Sequence, residues 1–376
     1  MISKVGIIGL GALGILFASQ FQEKTSKSQV YILADEKRLQ RYSTEGVYCN
    51  GRLCDFQYAS PADAPQMDLL IFATKYQGLP GAVKTARSVC GPQTILMSFL
   101  NGISSEEYIK EHLPAGRLLY CTVQGMDATR QGNHLTYENP GSVVFGERES
   151  SGNGAIEEVK EFFERTCIRF SVSQDILHQL WSKWMLNVGV NQACAVFGEN
   201  YGGVQKDGKA RRAMIAAMEE ARKTAAAEGI SLTEKELKDW VALVDTLSPQ
   251  GEPSMRQDTK AGRETEVELF NNRGQSPQSG HPSCGSLRVF SLPPETRDGR
   301  TDGGHECWKT PPQPGSASGK QRISCLFPWS EIPPGEKLSP RLPLHSRCES
   351  FFLHPAPCNP ESSAPSSFRL SFHKFY

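Results

Sequence analysis

Val5-Gly6-Ile7-Ile8-Gly9-Leu10-Gly11-Ala12-Leu13-Gly14-Ile15-Leu16-Phe17-Ala18 decides the fold. A short apolar run leads into three glycines spaced GxGxxG, and apolar residues compatible with a packed helix follow. The pattern reads as a buried strand, a tight turn and a helix. Gly9 permits the turn, Gly11 lets the backbone approach a pyrophosphate at the helix N-terminus, and Gly14 lets helix and strand pack closely. Alone, such a motif is weak. Here a strand precedes it, a helix follows, and a second strand ends at Asp35, about 20 residues farther on, which is the context of a dinucleotide site. Gly9, Gly11, Ala12, Leu13 and Gly14 are therefore the expected cofactor contacts. Asp35 suits hydrogen bonding to an adenosine ribose, as in NAD sites. Lys37 and Arg38 suit a 2′-phosphate, as in NADP sites. Both readings stand at this point.

Working outward, Gln29–Ala34, Asp68–Thr74 and Thr94–Leu100 are further apolar strand candidates, separated by helix-compatible stretches such as Gln77–Val89. Continuous apolar strands alternating with helices indicate a doubly wound parallel sheet covered on both faces. Between Leu118 and Phe145 the pattern changes. Turn signals at Gln131-Gly132-Asn133 and Asn139-Pro140-Gly141 predict an antiparallel or mixed edge. The expected division is a Rossmann-type domain over 1–172, an all-α substrate domain over 173–270, and a separate tail over 271–376.

The helical part is announced by three segments. Gln174–Cys194 has apolar residues at helical spacing. Ala210–Glu228 is alanine-rich, with Met214, Ile215, Met218 and Ala221 near one face and Gly229 as its terminator. Thr233 with Glu236 has the spacing of a capping box for Glu234–Leu247. An α/β domain followed by an all-α domain leaves a cleft between them, a common place for a ligand.

Within the first of these helices, Lys183, Asn187 and Asn191 recur at i, i+4 and i+8 and form one stripe, framed by Trp181, Trp184, Met185 and Val188. Three short polar groups in an apolar cleft suit a small carboxylate or hydroxy acid. The same stripe also suits the exposed face of an ordinary amphipathic helix. A third cluster is Pro253-Ser254-Met255-Arg256-Gln257-Asp258, followed by Gly262-Arg263-Glu264-Thr265-Glu266. Ser254 there reads most simply as a helix cap.

Bulk properties exclude several classes. Lys plus Arg and Asp plus Glu number 41 each, so the net charge is zero and nothing favours nucleic acid or an anionic membrane. No apolar run reaches membrane-span length. The six cysteines before residue 271 form no CxxC pair, so no metal site is expected; reduced, mostly buried thiols in the cytoplasm are.

Five pieces occur in order: GLGALG at Gly9–Gly14, Ala73-Thr74-Lys75, Asn101-Gly102, the LWxKxxxNxxxN helix from Leu180 to Asn191, and SMxQDxxxGRxTE from Ser254 to Glu266. Together they resemble the ketopantoate reductase family over about residues 1–270. The resemblance implies NADPH-dependent reduction of 2-dehydropantoate to pantoate, a small 2-keto acid as substrate, and a homodimer. It implies Lys183 as general acid with Glu266 as the carboxylate that positions it. Asn187, Asn191 and Ser254 would bind substrate, with Lys75 and Asn101 between cofactor and substrate. A lysine desolvated by Trp181 and Trp184 should have a lowered pKa, opposed by a nearby carboxylate. The chain departs from the family at Ala34-Asp35, where a basic residue is usual, which leaves NAD open beside NADP. Two other activities remain on the table: reduction of another branched 2-keto acid, and dinucleotide binding without catalysis in the product of a frame-shifted gene.

After Phe270 the family would continue with more helices. This chain turns instead to a proline- and serine-rich stretch: residues 1–270 hold eight prolines, the remaining 106 hold sixteen. That composition fits disorder. A reading-frame shift near residue 270 also fits, and would leave the helical domain incomplete.

Overall fold

A computed structural model describes residues 1–26, 29–149 and 152–267; the expectations for 271–376 lie outside the described residues. The first part runs β1 (Val5–Ile8), α1 (Ala12–Lys24), β2 (Val30–Leu33), α2 (Glu36–Glu45), β3 (Tyr48–Cys49), β4 (Arg52–Leu53), β5 (Gln57–Ala59) and β6 (Leu69–Phe72). After a 3-10 turn at Tyr76–Gly78 come α3 (Leu79–Ala86), β7 (Ile95–Ser98), α4 (Ser105–His112), β8 (Arg117–Met126), β9 (Thr129–Gln131), β10 (His134–Thr136), β11 (Pro140–Gly146), α5 (Ala155–Arg165) and β12 (Phe170–Val172). Helices then take over: α6 (Ile176–Phe197), α7 (Tyr201–Gln205), α8 (Lys209–Ala227), α9 (Glu234–Thr246) and α10 (Ser254–Lys260).

The main sheet has the order β12-β11-β8-β7-β6-β1-β2-β5. From β5 through β8 every pairing is parallel; β11 then pairs antiparallel with β8 and parallel with β12. The mixed edge read from the sequence is present at β8, β11 and β12, but the turn at Gln131-Gly132-Asn133 joins β9 to β10, which pair outside this sheet. Strands β1, β2, β6 and β7 are buried at every position, because helices cover both faces. The chain winds one way from β1 to β2 and the other way from β6 to β8. That reversal opens a crevice at the carboxyl ends of β1 and β6, where ligands of open α/β sheets bind.

A second sheet, β4-β3-β10-β9, was not anticipated. Its strands are two or three residues long, too short for a periodic signal.

The helical part packs around α6. Gly189 faces α8 so closely that a Cβ there would strike the Met218 side chain and meet the Met214 carbonyl oxygen at 2.8 Å. Met185, Val188, Met214, Met218 and Ala221 are fully buried in this core. Helix α9 is joined to α6 through Trp240 Nε1, which donates to Ser182 Oγ at 2.8 Å, and to α8 through a bidentate Arg211–Asp245 pair. The Thr233–Glu236 capping box forms as the sequence predicts, and Gly229 has φ +81°. Ser254 is a correction. Helix α10 begins at that residue, Pro253 holds the cap position, and no side chain closes the end; a residue already inside the first turn cannot act as its cap.

Candidate active site

The crevice between β1 and β6 is lined by the fingerprint. Gly9 has φ +104°, a backbone region that L side chains rarely adopt, and a Cβ on it would press on Ala73 and Thr74. A Cβ on Gly14 would overlap the Gly9 carbonyl oxygen, so α1 packs directly on the turn. A Cβ on Gly11 would meet only the Ala73 carbonyl oxygen, at 3.3 Å, so the space beside it is kept open by the missing side chain. Gly11 is also the N-cap of α1 and supplies no side-chain bond to the first-turn amides. Uncapped amides at a helix start, reached over bare glycine, fit a pyrophosphate.

Asp35 behaves as a helix cap. Its carboxylate accepts from the Arg38 amide at 2.9 Å and pairs with the Arg38 guanidinium at 2.8 Å. Lys37 beside it is exposed. The two charges weighed as alternative cofactor anchors are thus partly engaged with each other.

Lys183 projects from α6 toward β8. Its ammonium donates to Asn101 Oδ1 at 3.2 Å and to the Val123 carbonyl oxygen. Burial pulls its pKa from the ordinary 10.5 down to about 8, with Cys121 and Glu106 acting in the opposite direction. The stripe that the sequence singled out runs into the interior: Asn187 is half-buried and Asn191 fully buried.

Glu266 does not take the expected position beside Lys183. Its carboxylate accepts from the Tyr76 amide at 3.1 Å, and burial raises its pKa. The cause is the path of the chain after α10. Residues 263–266 lie along the loop after β6, with Lys75 Nζ donating to the Glu264 carbonyl at 2.9 Å and Gln77 to that of Thr265. Asp258 anchors this strap: buried, it accepts from Lys75 Nζ at 2.8 Å and Arg263 Nε at 2.9 Å. Its role was not read from the sequence, although it lies within the SMxQDxxxGRxTE motif. Lys75 and Asn101, on the loops after β6 and β7, each bond a residue of the helical part, Asp258 and Lys183 respectively. Ser254 is exposed and makes no capping bond. Glu106, which no sequence signal marked, is buried, and its charge acts on Lys183.

With this arrangement in view, comparisons with known proteins are informative. The ketopantoate reductase PanE/ApbA family matches residues 5–150, and its C-terminal counterpart matches residues 175–273, together well over half of the chain. The chain belongs to the ketopantoate reductase family. Relatives named 2-dehydropantoate 2-reductase include one from Streptococcus pyogenes serotype M1, 22% identical over 272 residues, covering 71% of this chain and 88% of the relative. Another, from Pyrococcus horikoshii, is 24% identical over 276 residues and covers 72% and 89%. Among solved structures, D-mandelate dehydrogenase with NADH and anilino(oxo)acetate superposes with TM-score 0.64 at 21% identity, covering 71% and 89%. A ketopantoate reductase from Ralstonia eutropha gives 0.62 at 21%, with the same coverage, and a dimeric one from Staphylococcus aureus gives 0.57 at 17%, covering 71% and 88%. These structural likenesses establish the fold. Among the described residues no helix is long and apolar enough to cross a membrane.

Proposed function

We propose that this chain reduces 2-dehydropantoate to pantoate with NADPH, using residues 1–172 for the cofactor and 173–270 for the substrate. The observation that carries the reading is Lys183: an inward-facing ammonium, held by Asn101 and the Val123 carbonyl, with its pKa brought to about 8. A lysine in that state donates a proton readily near neutral pH.

Gly9, Gly11, Ala12, Leu13 and Gly14 would hold the pyrophosphate, and Lys37 with Arg38 the 2′-phosphate. The dinucleotide supplies the hydride when bound. Lys183 stabilises the negative charge that develops on the C2 carbonyl oxygen and gives it a proton. Asn101 and the Val123 carbonyl fix the direction in which that proton is offered. Asn187 and Asn191 continue the polar stripe and would bind the hydroxyl and carboxylate ends, with Ser254 at the rim. Lys75, held by Asp258, stands where substrate and cofactor meet. Glu266 acts by fastening the 263–266 strap to Tyr76, which sets the shape of the cleft. A homodimer in the cytoplasm agrees with the dimeric S. aureus relative and with the cysteine usage.

A second reading has its own support. The D-mandelate dehydrogenase structure, solved with NADH and an oxoacetate, shares this fold. A related reductase acting on another branched 2-keto acid, with NADH, is therefore the alternative, and relative turnover on such substrates separates the two.

Lys183→Met keeps the bulk of the side chain and removes the proton. It should lose most turnover while NADPH still binds, read by fluorescence titration. Turnover close to wild type would remove Lys183 from the mechanism.

A further inference from the structure

Within charge range of Lys183 lies a buried acid that the mechanism above leaves unused. Glu106 occupies the first turn of α4 and is 1% exposed. Its Oε2 accepts from Ser105 Oγ at 2.8 Å, and Ser105 Oγ in turn bonds Ser98 Oγ at 2.8 Å. Its Oε1 is buried and meets no side-chain donor, with only the backbone amides of Glu106 and Cys121 near the carboxylate. Buried carboxylate oxygens are rarely left this way, because an unpaired polar atom in the interior is costly. A tolerated one is explained when its charge serves a nearby cation.

The groups facing the Lys183 ammonium come from three elements. The loop after β7 gives Asn101 and β8 gives the Val123 carbonyl, both bonded to the ammonium, while Cys121 of β8, two residues from Val123 on the same strand face, and Glu106 of α4 are the ionisable groups that can act on it through charge. Asn101 and the carbonyl are neutral. The Cys121 thiol donates to the Ser98 carbonyl at 2.9 Å, and burial pushes it well above the usual thiol range, so it stays neutral too. The neighbouring Glu107 is taken by Tyr120 at 2.8 Å and Arg148 at 2.6 Å. Among these described groups, Glu106 is the one left to carry a full negative charge toward the lysine.

We propose that Glu106 is the counter-charge of the active-site lysine: a positioning residue whose buried carboxylate keeps Lys183 an ammonium ion between turnovers. It touches neither substrate nor cofactor and acts through Lys183, so its importance depends on the proton donation proposed above. The pair is tuned rather than locked. Burial raises the Glu106 pKa to about 7, against the pull of the Ser105 hydroxyl and nearby backbone amides, while Lys183 stands at about 8. Between about pH 7 and 8 each group is more than half charged, and the carboxylate favours the ammonium form of the lysine.

The test reads the lysine directly. The full chain is prepared with lysine labelled with 13C at Cε, the Lys183 resonance is assigned by its loss in Lys183→Met, and its shift is followed from acid to alkaline pH. In the wild type the resonance should titrate near pH 8 with a smaller inflection near 7 as Glu106 ionises. In Glu106→Gln, which keeps the size and the bond to Ser105, the midpoint should fall by about one pH unit and the inflection should vanish. An unmoved midpoint would overturn the proposal. So would a wild-type curve with no inflection near 7, a result that needs no variant to fold. NADPH oxidation measured in parallel separates the two claims: an inactive wild type with the coupled titration intact counts against the proposed reduction and supports the pairing.

Discussion

Gly11 and Gly14 sit three residues apart in one turn, yet an alanine at each should fail in a different way. At Gly14 the added Cβ would overlap the Gly9 carbonyl oxygen and lie 3.0 Å from its carbon. Both obstacles are backbone, so relief requires α1 to move away from the end of β1. Overpacking of this kind costs about 1–3 kcal/mol. For a domain of this size each kcal/mol lowers the melting temperature by roughly 2–4 °C, so Gly14→Ala should melt roughly 2–12 °C lower. At Gly11 the Cβ would meet only the Ala73 carbonyl oxygen at 3.3 Å, a contact relieved by a few tenths of an ångström. Its stability should be nearly unchanged. The methyl group, however, would enter the space proposed for the pyrophosphate, so NADPH affinity should fall by at least about tenfold, or 1.4 kcal/mol. Circular-dichroism melts give the first quantity and NADPH fluorescence titration the second. An unchanged melt for Gly14→Ala would refute the close helix–turn contact. Wild-type NADPH affinity in Gly11→Ala would refute the assignment of the turn.

Reduction should show a basic limb: constant turnover while Lys183 is protonated, then a decline of about tenfold per pH unit above pH ~8. A pH profile without that limb would remove Lys183 as the proton donor. The lowered pKa also makes a stability prediction. Between about pH 8 and the ordinary 10.5 the unfolded chain binds the proton that the folded chain has released, so stability rises with pH in that window. Lys183→Met should accordingly melt higher than wild type at pH 7, with the gap closing toward pH 10.5; an equal or lower melt at pH 7 contradicts the burial of a charged lysine. Asp258→Asn removes the charge held between Lys75 and Arg263. Charge-assisted bonds of this kind contribute about 1.5–3 kcal/mol each, so the variant should melt several degrees lower and show a raised KM from the loosened strap.

The parallel sheet was legible because its strands are apolar at every position and alternate with helices; Val5–Ile8 and Leu69–Phe72 cannot be read otherwise than as strands buried on both faces. The second sheet was not. Its β3–β4 hairpin does carry a turn signal, Asn50-Gly51, and both residues adopt positive φ, 48° and 76°. The flanking strands are too short to draw attention to it. In the site, Lys183 and its stripe were visible from helical spacing, and Asn101 from its motif. Glu266 was assigned a partner it does not have, because spacing along the chain cannot reveal that residues 263–266 fold back along the loop after β6. Glu106 was invisible for a different reason. An acid in the first turn of a helix is ordinary, and only burial near Lys183 makes it notable.

The most direct test of the account is absorbance at 340 nm with the purified full-length chain, 2-dehydropantoate, and NADPH or NADH in parallel. Oxidation should depend on the keto acid, be faster with NADPH, and be lost in Lys183→Met. Bound NADPH that no keto acid oxidises would contradict it, and would leave a chain that holds the dinucleotide without reducing anything.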